Sequence, residues 1–511
     1  MSQTNSPSPG GGKTSFLDRA FRALSVAVAI VLCLFHLAAA SPLLVLNNTT
    51  QAVIHGALVV SFFLLARGLS FRGGKLIDIA MIVVTVLAAL AVIQMRNSNS
   101  ASATLYSAYQ QRISILFVVV ALIVGYRALG KILPSLCILF LGYTLLGRYL
   151  LGALATAKVT VTRFGTYLMV SSEGLFGNAL STAANYIFLF VIFGSVLSFI
   201  GAGEFFVDIA FSAFGRVRGG PAQAAVYSSM LMGMVNGSGA ANVVTTGTFT
   251  IPLMKRTGFD PDTAGAIEAV ASNGGQIMPP VMGAVAFLMA DATSLPYTVI
   301  CLAALLPAVL YYITLSTSIV SYSHRNHIPV REPDPAARTT WQIFKGGWYY
   351  FLPIAVLILL MVRGLSTQRA ALFTILLCLA IGAVTCPGRF TIKSLVDLCV
   401  QSARSIMSVS IACMIAGVIV GSINITGLGL KISGLITAAS GGSILVMAVL
   451  TAMVCIILGM GLPTSACYIV LAVLVAPAMV GLGVAVISAH MFVLYYGVVA
   501  AITPPVALAV F

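Results

Sequence analysis

Charged residues are scarce in this 511-residue chain, and acids are the scarcest of them. Lys and Arg number 27, Asp and Glu only 12, and the four types together make up 8% of the residues. A soluble domain carries roughly 25% charged residues. Hydrophobic residues make up 59%, and several apolar runs approach the ~20 residues that a helix needs to cross a bilayer. The composition excludes a soluble globular protein and predicts an all-α polytopic membrane protein.

Several chemical signatures are also missing. The nine cysteines are scattered through apolar runs without a CxxC pair, which argues against a zinc or disulfide framework. Neither HExxH nor the Walker sequence GxxxxGK[ST] occurs, so we expect no enzyme activity and no cofactor. The net charge of +15 comes from Lys and Arg in short loops between spans, as the positive-inside rule requires. A nucleic-acid partner is therefore not expected.

Small, polar and helix-breaking residues interrupt the apolar sequence at four places, which form two pairs. The first pair is residues 233–242 and 272–280, and the second is residues 459–466 and 502–505. From Gly-Met to Pro-Pro is 279 − 233 = 46 positions in the first pair and 504 − 459 = 45 in the second, which indicates an internal repeat. Such breaks persist in hydrocarbon where they line a polar site, and matched pairs point to a transporter's binding site. The alternative is that Gly and Ser only permit tight helix packing.

The basic loops divide the chain into four parts. Residues 1–20 predict a disordered cytoplasmic tail, because their first part is rich in Ser, Pro and Gly. Residues 21–131 predict four spans with both ends inside. Residues 132–182 predict a connecting span and a segment at the outer interface that is too polar to cross. Residues 183–511 predict a second, larger membrane unit.

Two helical hairpins are predicted in this larger unit. Residues 221–254 hold two apolar stretches that are each short for a span, with basic residues at both ends, and so predict a re-entrant hairpin from the cytoplasmic side. Residues 443–479 lie in a segment that has Lys431 as its single Lys and no Asp, Glu or Arg, which predicts entry from the periplasmic side. A broken helix follows each hairpin. The predicted fold therefore has inverted repeats, two re-entrant hairpins and two broken helices.

The hairpin tips and broken helices supply the candidate ligands. Neutral hydroxyl, amide and backbone oxygens suit a hard monovalent cation. The residues that we assign to it are Ser238, Asn242, Ser272, Asn273, Gly275, Thr464 and Thr503. Half-helix N-termini at the same tips can bind a substrate carboxylate. The residues that we assign to substrate are Asn236, Gly237, Ser238, Asn273, Thr464 and Ser465.

Glu268 is the acid placed between the repeats. It lies one helical turn before Ser272 and on the same helix face. An ionised carboxylate inside a span is costly unless it is paired or wet, so Glu268 can serve as a proton relay. The alternative is a carboxylate at a helix end, exposed to a water-filled cavity.

The chain resembles the membrane component of tripartite ATP-independent periplasmic (TRAP) transporters, with the small four-helix subunit fused to the large, DctM-like permease. The likeness is greatest to the TAXI branch. The runs that carry it are residues 241–247 (ANVVTTG), 249–256 (FTIPLMKR), 274–284 (GGQIMPPVMGA), 459–464 (GMGLPT) and 502–509 (ITPPVALA). The first 160 or so residues match by helix count and position alone.

The resemblance implies a permease of the bacterial inner membrane with an elevator mechanism. It also implies a periplasmic binding protein of the TAXI type as partner, a dicarboxylate-like organic acid as substrate, and Na+ or H+ as the coupling ion. Relatives continue past the second Pro-Pro sequence, so a C-terminal truncation is expected at Phe511. Two alternatives stay open, a carboxylate/Na+ symporter that needs no binding protein and a non-transporting membrane scaffold.

Overall fold

The computed structural model describes residues 16–69, 73–97, 106–215, 217–330 and 338–504. Every regular element in these ranges is helical, and the described part of the chain contains no strand. By length and composition, ten helices in that part could cross a membrane, or eleven if one bent pair counts as a span. The prediction of an all-α polytopic membrane protein is confirmed.

Four apolar helices come first. They are α1 (Phe16–Ala40), α2 (Asn48–Ala66), α3 (Gly74–Asn97) and α4 (Ala108–Leu129). Asn47 caps α2, because its side chain accepts a hydrogen bond of 2.6 Å from the Thr50 amide. Ser107 and Gln110 form a capping box at the start of α4. Both caps satisfy backbone N–H groups that the first turn of a helix leaves without a partner.

The prediction that residues 1–20 form a disordered tail is wrong for residues 16–20. Helix α1 begins at Phe16, so the last five residues of that tail are helical, whereas residues 1–15 lie outside the described part of the chain. Asp18 in the first turn of α1 forms an ion pair with Lys75 at the start of α3. A negative charge near a helix N-terminus is also favourable to the helix dipole, which supports helix formation at this point.

The connecting region leads from the first four helices into the larger unit. Its helices are α5 (Ile132–Leu146), α6 (Val161–Val170), α7 (Asn178–Thr182), α8 (Phe188–Phe199) and α9 (Ala202–Phe214). A π-helical turn, Ala183–Ile187, joins α7 to α8, so that Asn178–Phe199 is one apolar segment of 22 residues. Gly201 then changes the chain direction with φ 101°, a conformation that glycine adopts without steric cost.

The first hairpin and its broken helix follow. They consist of α10 (Gly220–Asn236), α11 (Gly239–Arg256), α12 (Pro261–Gly274) and α13 (Ala284–Thr293). Two residues reverse the chain at the tip: Gly237 has φ 64°, and the Ser238 hydroxyl accepts a hydrogen bond of 3.4 Å from the Ala241 amide to cap α11. Helix α12 ends in a single 3₁₀ turn, Gly275–Ile277, before α13 resumes.

Six helices lie between the first broken helix and the second hairpin. They are α14 (Tyr297–Arg325), α15 (Thr340–Gly347), α16 (Leu352–Val362), α17 (Thr367–Thr385), α18 (Ile392–Thr426) and α19 (Leu428–Ala439). Helix α18 has 35 residues and is almost fully buried from Ser410 to Ile423. It packs against α1, α2, α4 and α5 on one side and against α8 and α21 elsewhere. It therefore connects the first four-helix unit to the second hairpin.

The second hairpin consists of α20 (Ile444–Gly459) and α21 (Thr464–Leu474). Two further helices follow, α22 (Ala476–Gly481) and α23 (Val486–Ala500). Pro463 precedes the first residue of α21, where its missing N–H costs nothing because helix starts have free N–H groups in any case. Residues 505–511, which hold the end of the second broken-helix sequence, lie outside the described part.

Candidate functional site

The tips of the two hairpins lie on opposite sides of one cavity of about 240 Å³. The first tip contributes residues 237–240 and the second contributes residues 462–465. The first broken helix adds Asn273, Gln276, Ala284 and Val285, α18 adds Ser408 and Val409, and Ala501 follows the end of α23. Residues that are more than 200 positions apart in the sequence thus line one cavity, in which six polar side chains lie among glycine and apolar residues.

Three helices begin at this cavity. Gly239 opens α11, Ala284 opens α13 and Thr464 opens α21, and all three residues line the cavity. No side chain caps α13 or α21. The first N–H groups of a helix have no partner within the helix, and the positive end of the helix dipole lies there. Among the described residues that line the cavity none is charged. The three helix N-termini favour an anion, whereas Gly237 and Ala501, which also line the cavity, are the C-terminal caps of α10 and α23, where the helix dipole is negative.

Two amide side chains link the first broken helix to α23. The Asn273 Nδ2 atom donates a hydrogen bond of 2.6 Å to the carbonyl of Val498. The Gln276 Nε2 atom in turn donates one of 2.7 Å to Asn273 Oδ1. Gln276 was not among the predicted ligands, although it belongs to the run of residues 274–284 that carried the resemblance. Its position close to Asn273 in the sequence of the broken helix could have indicated Gln276 as a further ligand.

The backbones of α10 and the first broken helix are in close contact where they cross. A Cβ atom added to Gly275 would lie 2.5 Å from the Cα of Gly233, and one added to Gly233 would lie 2.8 Å from the Cα of Gly275. Only glycine fits both positions. At this crossing the two glycines permit tight packing of the helices, as the alternative interpretation of the sequence expects. Gly275 faces a backbone instead of the cavity.

The Glu268 carboxylate is fully buried and surrounded by hydroxyl groups. Ser229 on α10 donates a hydrogen bond of 2.7 Å to Oε1, and Ser272 on α12 donates one of 3.0 Å to the same atom. Thr250 on α11 donates one of 2.6 Å to Oε2, and Thr246 donates to Oε1. The four donors come from all three helices around the acid. Glu268 is therefore not exposed to a water-filled cavity, and it connects the first hairpin to the broken helix.

Asn242 lies behind the tip and not in the cavity. Its side chain is fully buried, and its Nδ2 atom donates a hydrogen bond of 2.7 Å to the carbonyl of Ser229. Its Oδ1 atom has no hydrogen-bond partner in the described part of the chain. A buried acceptor without a partner is costly, so this oxygen is a place where a cation could be bound.

The predicted site residues thus divide into two groups. Gly237, Ser238, Asn273, Thr464 and Ser465 line the cavity. The Ser272 hydroxyl is directed to Glu268, and Thr503 donates a hydrogen bond of 2.9 Å to Val499 in its own helical turn. Asn236 is the last residue of α10, but its side chain is not among those that the structure describes.

A second, larger cavity of about 550 Å³ lies between the connecting region and α13, α18, α21 and α23. Glu173 and Asp291 line it, together with Tyr468 and His490, whose Oη and Nδ1 atoms are 2.8 Å apart. Burial raises the pKa of the Glu173 carboxyl, and the negative charge of Asp291 raises that pKa further. The two cavities therefore differ in charge, since acids line this one and helix N-termini line the other.

Comparison with known protein families shows to which family the chain belongs. The family model described as "Tripartite ATP-independent periplasmic transporter, DctM component" matches residues 113–511, which is most of the chain. The chain belongs to this family. The DctM-component match begins inside α4 and includes every residue assigned above to the candidate site, whereas α1 to α3 precede it.

Individual relatives match shorter stretches of this DctM-component chain. The 2,3-diketo-L-gulonate TRAP transporter large permease protein YiaN of Escherichia coli is 23% identical over 192 residues, which are 37% of this chain and 44% of that protein. The C4-dicarboxylate TRAP transporter large permease protein DctM of Pseudomonas aeruginosa is 31% identical over 105 residues, which are 20% of this chain and 25% of that protein. The chain spans less than half the length of the curated relatives it matches.

Among solved structures, the chain is similar to the Alcanivorax borkumensis YdaH transporter. The TM-score is 0.45 and the sequence identity 19%, with 74% of this chain and 89% of that chain covered.

Proposed function

We propose that this chain is the membrane permease of a binding-protein-dependent secondary transporter, which imports organic acids across the bacterial inner membrane. The observation that carries the proposal is the cavity between the two hairpin tips. Its lining combines six neutral polar side chains with glycine and apolar residues, and the N-termini of α11, α13 and α21 open into it. Such a site can bind an anion without a basic side chain, and it can release that anion more readily than an arginine would.

The substrate in this proposal is a small carboxylate of the dicarboxylate type. A volume of about 240 Å³ is below the roughly 300–1,000 Å³ of pockets for drug-sized ligands, which suits an acid of a few carbon atoms. The names of two relatives, quoted above, refer to 2,3-diketo-L-gulonate and to C4-dicarboxylates, and both are organic acids. Ser238, Asn273, Gln276, Thr464 and Ser465 would bind the polar groups of the substrate. Gly237 and Asn236 belong to the same tip and complete the proposed substrate set.

Sodium is the coupling ion that we favour. Asn242 Oδ1 is buried and has no hydrogen-bond partner in the described part of the chain. The Nδ2 atom of the same side chain would lie 3.0 Å from a Cβ atom added to Gly233, so the Asn242 side chain is next to the crossing of Gly233 and Gly275. The proposed Na+ ligands are the neutral oxygens of Ser238, Asn242, Ser272, Asn273, Gly275, Thr464 and Thr503. Neutral ligands suffice for a monovalent cation where unwound backbone contributes carbonyl oxygens. Of these residues, Thr503 is the one with least support, because its hydroxyl bonds to its own turn.

Proton coupling through Glu268 is the second candidate, and one observation favours it. The carboxylate has no basic partner among its hydrogen-bonding neighbours, all of which are hydroxyls that can either donate or accept. The cage could therefore hold Glu268 in either protonation state. Against this role, Glu268 is sealed from both cavities by the helices that surround it.

An elevator mechanism follows from this proposal if two bodies move against each other. The mobile body would contain the hairpins and broken helices, α10 to α13 and α20 to α23. The static body would contain the first four helices and α18; α18 packs against α1, α2 and α4, and also against α21 of the proposed mobile body. A periplasmic binding protein of the TAXI type would deliver the acid. The N-terminus would lie in the cytoplasm, on the same side as Arg67 and Arg127, which meet at one end of the first unit.

The test is uptake into proteoliposomes that contain the purified chain. The substrate is the acid that raises the melting temperature of the cognate secreted binding protein, which is to be sought first among the genes beside this chain. With an inward Na+ gradient, we expect uptake in the presence of that binding protein and little uptake without it. Robust uptake by the membrane protein alone would favour a symporter that needs no binding protein. No uptake with or without the binding protein would favour a non-transporting membrane scaffold.

A further inference from the structure

Two histidines form an unbroken hydrogen-bond chain between the first four-helix unit and α18. His36 Nδ1 on α1 lies 2.8 Å from the carbonyl of Leu32. His36 Nε2 lies 3.0 Å from His55 Nδ1 on α2, and His55 Nε2 lies 2.7 Å from the hydroxyl of Ser410 on α18. All three side chains are fully buried. The contact between His55 and Ser410 joins residues 355 positions apart in the sequence.

The chemistry of the endpoints fixes the direction of this chain. A carbonyl oxygen only accepts, so His36 must carry a proton on Nδ1, and a neutral His36 ring then presents a bare Nε2. His55 must then donate from Nδ1 to that nitrogen and present a bare Nε2 to Ser410. The Ser410 hydroxyl must therefore donate to His55. In this arrangement both rings are neutral and all four ring nitrogens have a partner.

Aromatic rings surround the two histidines. Phe35 and Phe188 each approach the His36 ring edge-on with centroids 4.9 Å apart, and Phe188 lies 5.9 Å from the His55 ring. Inside an apolar environment a hydrogen bond is electrostatically stronger, and an unpaired ring nitrogen is correspondingly costly. The chain therefore resists any movement of α18 that would separate Ser410 from His55.

Ser410 is two residues from Ser408, which lines the cavity between the hairpin tips. At 3.6 residues per turn, two residues correspond to a rotation of about 200° around the helix axis. The hydrogen-bond chain thus holds one face of α18 while the opposite face forms the cavity wall. Ser408 is exposed towards that space and Val409 is half-buried beside it.

We propose that His36, His55 and Ser410 are positioning residues, which fix the rotation of α18 and thereby the wall that Ser408 and Val409 give to the cavity. The interpretation of that wall as part of a substrate site rests on the proposed function. The hydrogen-bond chain itself does not, because the measurements below need neither substrate nor transport.

The first measurement is hydrogen–deuterium exchange of the full-length protein in detergent. In Ser410→Ala, peptides of α18 that contain Ser408 and Val409 should exchange at least about threefold faster, as expected for losing roughly one net hydrogen bond. Ser410→Thr retains the hydroxyl donor and should restore slow exchange. Ser402→Ala is the matched control, since Ser402 is also buried on α18 but, within the described residues, bonds only to the Leu398 carbonyl of its own helix, 2.9 Å away. Equal exchange in Ser410→Ala and Ser402→Ala would overturn the proposal.

The second measurement needs no variant at position 410 and stays informative if Ser410→Ala does not fold. The chain has five histidines: His36, His55, His324, His327 and His490. In a 15N-histidine nuclear magnetic resonance spectrum, the signals of His36 and His55, assigned with His36→Gln and His55→Gln, should both show protonated Nδ1 and bare Nε2. A proton on His55 Nε2 at neutral pH would overturn the assigned direction and with it the proposal.

Discussion

The hydroxyl of Thr250 on α11 donates a hydrogen bond of 2.6 Å to the carboxylate of Glu268 on α12. Thr246, Ser229 and Ser272 donate to the same carboxylate, so a single acid holds two helices of the first hairpin against the broken helix. Hydrogen bonds to a charged group are stronger than those between neutral groups. These hydrogen bonds would keep the first hairpin and the first broken helix together if the two move as one body.

Glu268→Gln should lower stability. Glutamine keeps the shape but replaces the carboxylate by a neutral amide with one acceptor oxygen, so the surrounding hydroxyls lose the stronger hydrogen bonds that a charged acceptor provides. The expected cost is about 1–3 kcal/mol, measured as the free energy of unfolding in detergent. Glu204→Gln is the control and should change little, since Glu204 is exposed and its contact to Arg389 is 3.7 Å long.

The same Glu268→Gln variant also separates the two coupling ions. We expect its uptake to keep its dependence on Na+, because the proposed Na+ ligands are neutral oxygens. Uptake that ignores Na+, follows a pH gradient and disappears in Glu268→Gln would instead identify proton coupling.

Asn242→Ala should raise the Na+ concentration required for half-maximal uptake, because it removes the buried Oδ1 oxygen that has no partner in the described part of the chain. Losing one interaction with a charged group corresponds to about tenfold or more in that concentration. Thr248→Ala is the control on the same helix, since the Thr245 carbonyl is the one partner of the exposed Thr248 hydroxyl among the residues that the structure describes. An unchanged Na+ dependence in Asn242→Ala would exclude Asn242 as a ligand.

The sequence was most informative where small residues interrupt apolar runs. Hairpin tips were expected at residues 236–242 and 459–465, and the chain reverses at Gly237 and before Thr464 because glycine and proline favour those conformations. Contacts over long sequence separation were not predictable. Ser408 and Val409 belong to a long apolar helix whose pattern gives no sign of which side faces the cavity. The bond between His55 and Ser410 is of the same kind.

Gly275→Ala should destabilise the protein, because the added Cβ would lie 2.5 Å from the Cα of Gly233 and the backbones would have to separate. Overpacking of this kind costs about 1–3 kcal/mol. Gly265→Ala on the neighbouring helix α12 is the matched control, as nothing lies within 4 Å of its added Cβ. This control should be neutral or stabilising by up to about 1 kcal/mol. Equal melting temperatures for the two variants would contradict the close crossing.

The loop that follows the first hairpin and the loop that precedes the second hairpin should lie on opposite sides of the membrane. Single cysteines placed at Gly258 and Gly442 in a Cys-free background have open space around them. A membrane-impermeant maleimide should label Gly258→Cys from the cytoplasmic side and Gly442→Cys from the periplasmic side, as the distribution of basic residues predicts. Labelling of both from one side would rule out the inverted repeat.

The most direct test of the transport account is whether the cavity between the hairpin tips is the substrate site. Thr464→Cys places a thiol at the N-terminus of α21, inside that cavity. In proteoliposomes supplied with the binding protein and a Na+ gradient, maleimide treatment should abolish uptake by this variant, and an excess of the substrate acid should protect the thiol. The unsubstituted protein, treated identically, should retain its uptake. Full uptake after complete modification of the introduced thiol would contradict the account.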